Sequence, residues 1–251
     1  MGQAIFIFGP AGSGKTTFTK NLLEHGRCTN RSFGIVNLDP AQISSDVEYT
    51  IDVRDYITVN DVMEECDLGP NGGLMLALEE LWENIEEFDL DTLSGSYLLF
   101  DCPGQLELFM HSDVMNNIID YVKQYFSCGI LYLLEAQYIM DINKFIGGCL
   151  CSCISSFRFN LPVFNVLTKV DLVDENRLQK FLDVDEEILE ELKDNKFGKL
   201  NRKIFEFLEE NNLSKFTPLD WRNEESLEAI LYNMDTCLQY FEDLEPIEMK
   251  D

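Results

Sequence analysis

Basic residues are scarce in this sequence. Lys and Arg number 19 against 46 Asp and Glu, so the formal net charge is -27. A protein this acidic repels a phosphate backbone, and we therefore expect no direct binding of nucleic acid through a general basic surface. Any phosphate that binds must be held locally, by backbone amides and a few cations.

Long apolar runs are absent as well. No stretch reaches the roughly 18 residues of a membrane-spanning helix, and the N-terminal sequence MGQAIFIFGPAGSGK lacks the basic region of a secretory signal. We therefore expect no membrane association, a cytoplasmic location and reduced cysteines. The cluster Cys149, Cys151 and Cys153 has a spacing of two, which scatters thiols around a helix axis. This spacing favours core packing over a metal or redox site.

The sequence also lacks repeats, low-complexity segments and a linker, so residues 1–251 are predicted to form a single domain. Short apolar strands, such as QAIFIF (3–8) and SKFTPLD (214–220), alternate with helical segments, such as those predicted at about 107–126 and 140–157. This alternation predicts a three-layer α/β fold, in which helices flank a mostly parallel sheet. An acidic helical insertion over about 174–212 and a short tail over about 244–251 follow. Segment 183–194 holds seven carboxylates and one Lys, and is either a solvated helix face or a docking surface for a basic partner.

A phosphate-binding loop is predicted directly after the first strand. The sequence GPAGSGKT fits the pattern G-x-x-x-x-G-K-[ST] in full and opens a helix, which is the context that the pattern requires. Backbone amides there converge on phosphate oxygens, while Lys15 reaches the β- and γ-phosphates and the Thr16 hydroxyl binds Mg²⁺. The predicted nucleotide-binding residues of this loop are Gly9, Pro10, Ala11, Gly12, Ser13, Gly14, Lys15, Thr16 and Thr17.

A second motif, YLLFDCPG (97–104), is an apolar strand with an Asp at its tip. Asp101 is placed to hold Mg²⁺ directly or through water. Gly104 completes a D-x-x-G spacing, in which the glycine amide can sense a γ-phosphate. Gln105 follows at the position where GTPases often place a residue that positions water.

A third motif, LTKVD (167–171), ends a later strand and indicates base recognition. The Asp171 carboxylate can accept hydrogen bonds from guanine N1–H and the 2-amino group, a donor pair that adenine lacks, and such a site discriminates by on the order of 10⁴-fold. The Lys169 stem can lie along the base. Thr168 stands where small GTPases usually have Asn, so an ordinary surface Lys–Asp pair stays an alternative. Leu219, in TPLD (217–220), lies where a base-contacting loop is expected.

Taken together, GPAGSGKTT, VNLDPA, LGPNGGL, LFDCPGQLEL and TKVDL resemble the GPN-loop GTPases in order and spacing. The resemblance runs nearly end to end, and the final helix is most similar to the third of three eukaryotic types. It implies a P-loop GTPase of the dimerising class that binds GTP or GDP with Mg²⁺. It further implies that Asp39 is a switch I acid for Mg²⁺ and water, that Gln105 positions water, and that Glu107 is a functional switch II carboxylate.

The same resemblance implies that Gly69, Pro70 and Asn71 form an inserted loop directed towards the phosphate site of a partner subunit. Asn is neutral and both donates and accepts hydrogen bonds, so Asn71 is suited to act in trans near a phosphate. Pro70 restricts the backbone before it, and Gly72 and Gly73 are expected to permit a turn. The alternative is an ordinary turn that caps a helix over 72–88.

The resemblance implies a role in the assembly and nuclear import of RNA polymerase II, with polymerase subunits or assembly factors as partners. The protein would pair with a paralogous GPN-loop GTPase or with itself, and would shuttle from the cytoplasm to the nucleus. A nucleotide-stabilised scaffold or chaperone with negligible turnover is the alternative, whereas a small-molecule kinase would need an Arg-rich lid that is not evident. Glu135 stands where relatives more often have Asp. Little effect on the chemistry is expected because no nucleotide motif depends on it, but a neighbouring contact is expected to change.

Overall fold

The computed structural model describes residues 2–43, 46–105, 112–182, 187–193 and 195–240. Its strands are β1 (Gly2–Phe8), β2 (Gly34–Asn37), β3 (Ile51–Asp52), β4 (Tyr97–Asp101), β5 (Phe126–Glu135), β6 (Val163–Thr168) and β7 (Thr217–Pro218). They form one sheet in the order β3-β2-β4-β1-β5-β6-β7, and every neighbouring pair is parallel.

Helices connect the strands. They are α1 (Lys15–Cys28), α2 (Val59–Cys66), α3 (Pro70–Glu83), α4 (Val114–Val122), α5 (Ile142–Phe159), α6 (Glu175–Leu182), α7 (Glu187–Glu190), α8 (Lys196–Glu210) and α9 (Glu224–Cys237). Short 3₁₀ turns cover Val53–Asp55, Ile85–Phe88, Ala136–Met140 and Val170–Leu172. None of the helices in the described ranges is long and apolar enough to cross a membrane.

The buried strand β1 divides the core into two layers. Its side chains alternate between the faces of the sheet, so Phe6 enters one hydrophobic cluster and Ile7 the other. The Ile7 cluster is completed by residues of α1 and α9, and the Phe6 cluster by residues from α2 to α8. The predicted three-layer α/β fold is therefore confirmed, with a sheet that is parallel throughout.

Most predicted elements are present with shifted ends. The helix predicted near 140–157 is α5, and the strand predicted at 214–220 is reduced to β7. Of the helix predicted at 107–126, the described part is α4, because residues 106–111 lie outside the described ranges. Residues 183–186 and 194 of the acidic segment and the tail at 244–251 also lie outside them.

The cysteine cluster lies inside α5, as the spacing predicts. Cys149 and Cys153 are buried and Cys151 is half-buried. Burial raises the pKa of the Cys149 thiol, which disfavours the thiolate that metal binding or redox chemistry needs. Within the described ranges, no group of three or more His, Cys, Asp and Glu side chains could hold a metal ion. These thiols are part of the core.

The Gly-Pro-Asn run differs from its prediction as a loop. Helix α3 begins at Pro70, with Gly69 as its N-cap, so Asn71 and both following glycines form the first helical turn. Proline suits this position because its missing N–H would have no helical partner there. A Cβ on Gly73 would lie 2.6 Å from Met63 Cγ of α2, so Gly73 serves the packing of two helices and does not make a turn. The prediction that the helix starts at 72 was wrong by two residues.

Candidate functional site

The predicted site residues converge at one edge of the sheet. The phosphate loop follows β1, Asp39 follows β2, Asp101 ends β4 and Thr168 ends β6. Since all these strands are parallel, their carboxyl ends meet at the same edge, where α/β proteins bind ligands. Motifs that are far apart in the sequence therefore form one site.

The phosphate loop has the backbone that anion binding needs. Gly14 has φ 91°, a left-handed conformation that glycine adopts readily, and forms the N-cap of α1. Lys15 is buried beneath the loop, where its Nζ donates to the carbonyl oxygens of Gly9 and Pro10, both at 3.1 Å. Burial lowers the pKa of Lys15, while the nearby Asp101 carboxylate counteracts this effect. The loop thus offers helix N-terminal amides and one cation to a phosphate.

Oxygen donors for a metal lie next to the loop. The Thr16 hydroxyl donates to Asp101 Oδ2 at 2.7 Å, although the two residues are 85 positions apart. Burial raises the pKa of Asp101 to about 6, and repulsion from Asp39 adds to the shift, whereas Thr16 and Lys15 oppose it. Burial also raises the pKa of Asp39. A cation here would relieve the cost of burying both carboxylates.

This donor set fits Mg²⁺. Mg²⁺ is usually held by one or two carboxylates together with substrate phosphates rather than by an all-protein cage. A hydroxyl and two carboxylates, from Thr16, Asp39 and Asp101, match that pattern. Asp39 is further oriented by its own loop, because its amide donates to Asn37 Oδ1 and the Ala41 amide donates to Asp39 Oδ1, both at 3.0 Å.

The side-chain amide of Gln42, which was not predicted from the sequence, lies beside these donors. Gln42 Nε2 donates to Thr16 Oγ1 at 2.7 Å and to Asp101 Oδ2 at 3.3 Å. Tyr49 donates its hydroxyl to Gln42 Oε1 at 2.6 Å. A lone Gln three residues after Asp39 matches no nucleotide motif, so the sequence carried no signal for it.

Gly104 approaches the phosphate loop closely. A Cβ at this position would lie 3.0 Å from both Ala11 Cα and Lys15 Nζ. A side chain here would force the loop backbone or the Lys15 ammonium to shift by a few tenths of an ångström, whereas glycine needs no such shift. Gln105 is half-buried directly after it, and Glu107 lies outside the described residues, so its role stays a prediction.

Replacing Gly104 with Ala is expected to weaken GTP binding about 10-fold, because the new methyl group would displace the Ala11 backbone and the Lys15 ammonium. Titration with a fluorescent GTP analogue measures the change. Gly95→Ala is the matched control, since a Cβ there meets nothing within 4 Å. Equal affinities for the two variants would contradict this close approach.

The predicted base-binding residues line a cleft of about 270 Å³ at the side of the loop. Thr168 links the cleft to the phosphate loop, since its hydroxyl donates to the Ser13 carbonyl oxygen at 2.7 Å. Asp171 is exposed at the cleft, and Arg222 Nη2 lies 3.9 Å from its Oδ2. The residues that line the cleft are Ser13, Gly14, Thr17, Phe18, Thr168, Lys169, Asp171, Leu219, Asp220, Trp221 and Arg222.

The predicted TPLD loop is therefore part of the cleft. Trp221 and Arg222, which follow this loop, also line the cleft and were not predicted. The Leu219 amide donates to the Leu167 carbonyl at 2.8 Å, which fixes this loop beside β6. The Trp221 ring packs at 5.7 Å from the ring of Phe18 on α1. No motif in the sequence predicts an aromatic side chain at the base cleft.

Glu135 contacts a nucleotide motif, so the neighbouring contact expected to change at this position is one with Lys169, while the small effect on chemistry stays a prediction. Its Oε1 lies 3.4 Å from Lys169 Nζ. Lys169 itself has φ 56°, the left-handed region. Because Glu135 ends β5 and Thr168 ends β6 in register, the ion pair links neighbouring strand ends and orients the Lys169 stem at the base cleft.

Asn71 does not line the base cleft of its own chain. Gly69, Pro70 and Asn71 are all exposed at the start of α3. Among the described residues, no hydrogen bond joins Asn71 to the phosphate loop. Helix α3 is nevertheless tied to the segment after Asp39, because Gly73 packs on α2 and the Val59 amide of α2 donates to the Pro40 carbonyl at 3.2 Å.

Comparisons with known proteins agree with this geometry. The family model described as "Conserved hypothetical ATP binding protein" matches residues 7–240. A Saccharomyces cerevisiae protein named GPN-loop GTPase 3 is 38% identical over 261 residues, which cover 98% of this chain and 96% of the relative. The protein of the same name from Dictyostelium discoideum is also 38% identical, and the match covers 99% of this chain and 91% of the relative.

A solved structure shares the fold. The apo crystal structure of a GTPase from Pyrococcus abyssi superposes with a TM-score of 0.78, at 24% identity, and the match covers 92% of this chain and 97% of that one. The sequence relatives are of the third type that the final helix predicts. By this identity and coverage, the chain belongs to the GPN-loop GTPase family.

Proposed function

We propose that this chain hydrolyses GTP with the help of Mg²⁺ and acts as a dimeric switch in the assembly or nuclear import of RNA polymerase II. One observation carries the catalytic part. The phosphate loop, the Thr16–Asp101 pair and the Asp171 cleft occupy a single edge of the sheet. This arrangement can hold a nucleotide by its phosphates at one end and by its base at the other.

Each group has a distinct part in the proposed reaction. Lys15 and the loop amides bind and orient the β- and γ-phosphates. Thr16, Asp39 and Asp101 would hold Mg²⁺, which supplies charge stabilisation for the transferring phosphoryl group when it is bound. Gln105 positions water for attack in line with the leaving group, and Gly104 brings that segment to the phosphate loop.

The proposed dimer follows from the position of the Gly-Pro-Asn run. Asn71 is exposed on the first turn of α3, a helix whose N-terminus carries partial positive charge. A neutral amide beside that terminus can approach a phosphate across an interface with little desolvation cost. The partner is a paralogous GPN-loop GTPase or a second copy of this chain. Size-exclusion chromatography with light scattering, in the presence of Mg²⁺ and a GTP analogue, should give the mass of a dimer.

Replacing Asn71 with Ala is expected to lower the rate of GTP hydrolysis by the dimer about 10- to 100-fold, because loss of one positioning donor typically costs that much or more. Single-turnover hydrolysis by the dimer measures it. Asn60→Ala, an exposed Asn on the neighbouring helix α2, is the control. If Asn71→Ala leaves both dimerisation and turnover unchanged, the action in trans is wrong.

Depletion of the protein and expression of a wild-type or variant chain in its place test the cellular role. In cells depleted of this protein, the wild-type chain should restore nuclear RNA polymerase II, whereas the Lys15→Ala variant should leave polymerase subunits in the cytoplasm. Full rescue by a variant that binds GTP but does not hydrolyse it would instead favour the nucleotide-stabilised scaffold or chaperone function. The location of the tagged wild-type chain tests the proposed shuttling from cytoplasm to nucleus.

A further inference from the structure

We propose that the Gln42 amide and Mg²⁺ compete for the same two oxygens, so that Gln42 is a positioning residue that couples metal binding to the segment after Asp39. The inference rests on the proposed Mg²⁺-dependent function. It adds a residue that no nucleotide motif contains.

The competition follows from the hydrogen bonds of Thr16. This hydroxyl gives its own proton to Asp101 Oδ2 at 2.7 Å, so it meets Gln42 Nε2 as an acceptor, also at 2.7 Å. The lone pair that accepts from Gln42 is therefore one of the two that Thr16 has for a metal. A Mg²⁺–oxygen distance is about 2.0–2.1 Å, so a metal on that lone pair would need the place of the amide.

Charge leads to the same conclusion. Gln42 Nε2 also lies 3.3 Å from Asp101 Oδ2, so its N–H groups direct partial positive charge at both oxygens. The amide thereby compensates a buried carboxylate in the way that a cation would. A cation that arrives at these oxygens is repelled by the same N–H groups until Gln42 moves away.

Contacts on the other side hold Gln42 in this place. Its side-chain Oε1 accepts from the Tyr49 hydroxyl at 2.6 Å, and its main-chain carbonyl oxygen accepts from Arg54 Nη1 at 3.3 Å. The Arg54 guanidinium lies over the Tyr49 ring at 5.4 Å and donates to Asp52 Oδ1 through Nε at 2.9 Å. The main chain of Gln42 is thus anchored beside the edge strand β3, and departure of its side-chain amide must release the contact with Tyr49.

The test compares Mg²⁺ affinities in the presence of saturating GDP, measured by isothermal titration calorimetry. Gln42→Ala removes the competitor, and Gln42→Glu keeps its shape while it replaces the donating amide with a carboxylate. Both variants should bind Mg²⁺ about 3- to 10-fold more tightly than the wild type, the range that the net value of one hydrogen bond gives. Tyr49→Phe should act in the same direction with a smaller effect, because it removes the contact that orients the amide and leaves the amide itself in place.

Gln124→Ala is the control, since this exposed Gln precedes β5 at the opposite end of the sheet. GDP affinity without Mg²⁺ shows that each variant is folded, and it should stay within about 2-fold of the wild type, because the Gln42 amide bonds the metal-facing oxygens of Thr16 and Asp101 rather than the phosphate-binding amides of the loop. Unchanged or weaker Mg²⁺ binding by Gln42→Ala would overturn the inference, since Gln42 would then be a bystander or itself a ligand. If the wild type with GDP binds no Mg²⁺, the metal part of the proposed function fails instead.

Discussion

Replacing Lys15 with Ala is expected to reduce the affinity for GTP at least about 100-fold, because two charge-assisted hydrogen bonds to phosphate are lost and each contributes about 1.5–3 kcal/mol. The folded protein should tolerate the change. Lys15 Nζ contacts the carbonyl oxygens of Gly9 and Pro10, and removal of a buried cation also removes its desolvation cost. Titration with a fluorescent GTP analogue measures the affinity.

The matched control for this experiment is Lys20→Ala, which removes a lysine from the same helix beyond the phosphate loop. Thermal unfolding of both variants should show transitions close to that of the wild type. Undiminished binding of GTP by the Lys15 variant would refute the assignment of the phosphate loop. A large loss of thermal stability would show that Lys15 is needed for folding, contrary to our account.

Replacing Asp171 with Asn is expected to weaken GTP binding by at least about 100-fold and to change ATP binding by less than about 3-fold. A carboxylate accepts hydrogen bonds from both guanine N1–H and the 2-amino group. An amide accepts only one of them and points its own NH₂ at the other, so that this guanine donor is left unpaired. Competition titrations with the two nucleotides give the ratio. The result matters because the matching family model is described by ATP binding while the relatives are named GTPases.

Asp174→Asn is the control for base recognition. Asp174 is exposed three residues further on and accepts from the Arg177 amide at 3.1 Å, a role that Asn also fills. An equal loss of GTP and ATP affinity in the Asp171 variant would show that this carboxylate acts on both nucleotides alike. Unchanged affinity for both nucleotides would instead make the surface Lys–Asp pair the correct interpretation of LTKVD.

The nucleotide-binding motifs were predictable from the sequence because their chemistry is local. In the phosphate loop, the glycines, Lys15 and Thr16 are contiguous, and a buried strand ends at Asp101. Parallel strands then bring such ends to one edge without further information. The Thr16–Asp101 hydrogen bond across 85 residues follows from that rule.

The start of α3 was mispredicted because local propensity opposes it. Gly, Pro and Asn disfavour helix interiors, so the run containing Gly72 and Gly73 was interpreted as a turn. Tertiary packing reverses the preference, since Gly73 must lack a side chain to pack on Met63 and Pro70 fits the first helical position. The alternative of a helix cap was nearer to the structure, because Gly69 is the N-cap.

Two contacts of the site could not be predicted at all. Gln42 reaches Thr16 and Asp101 from a loop, and Glu135 reaches Lys169 from the neighbouring strand. Each contact joins a motif residue to a residue far away in the sequence, Gln42 or Glu135, that belongs to no motif. Only the order of the strands and the path of the loop bring them together.

Hydrolysis itself tests the central claim most directly. Single-turnover assays should use radiolabelled GTP, with the purified chain alone and with a paralogous GPN-loop GTPase. We predict that Mg²⁺-dependent release of phosphate occurs with the wild type, is strongest in the dimer, and is lost on chelation of Mg²⁺ or in the Lys15→Ala variant. Absence of release from the wild type in every combination, or equal release from the Lys15→Ala variant, would contradict Mg²⁺-dependent GTP hydrolysis at this site.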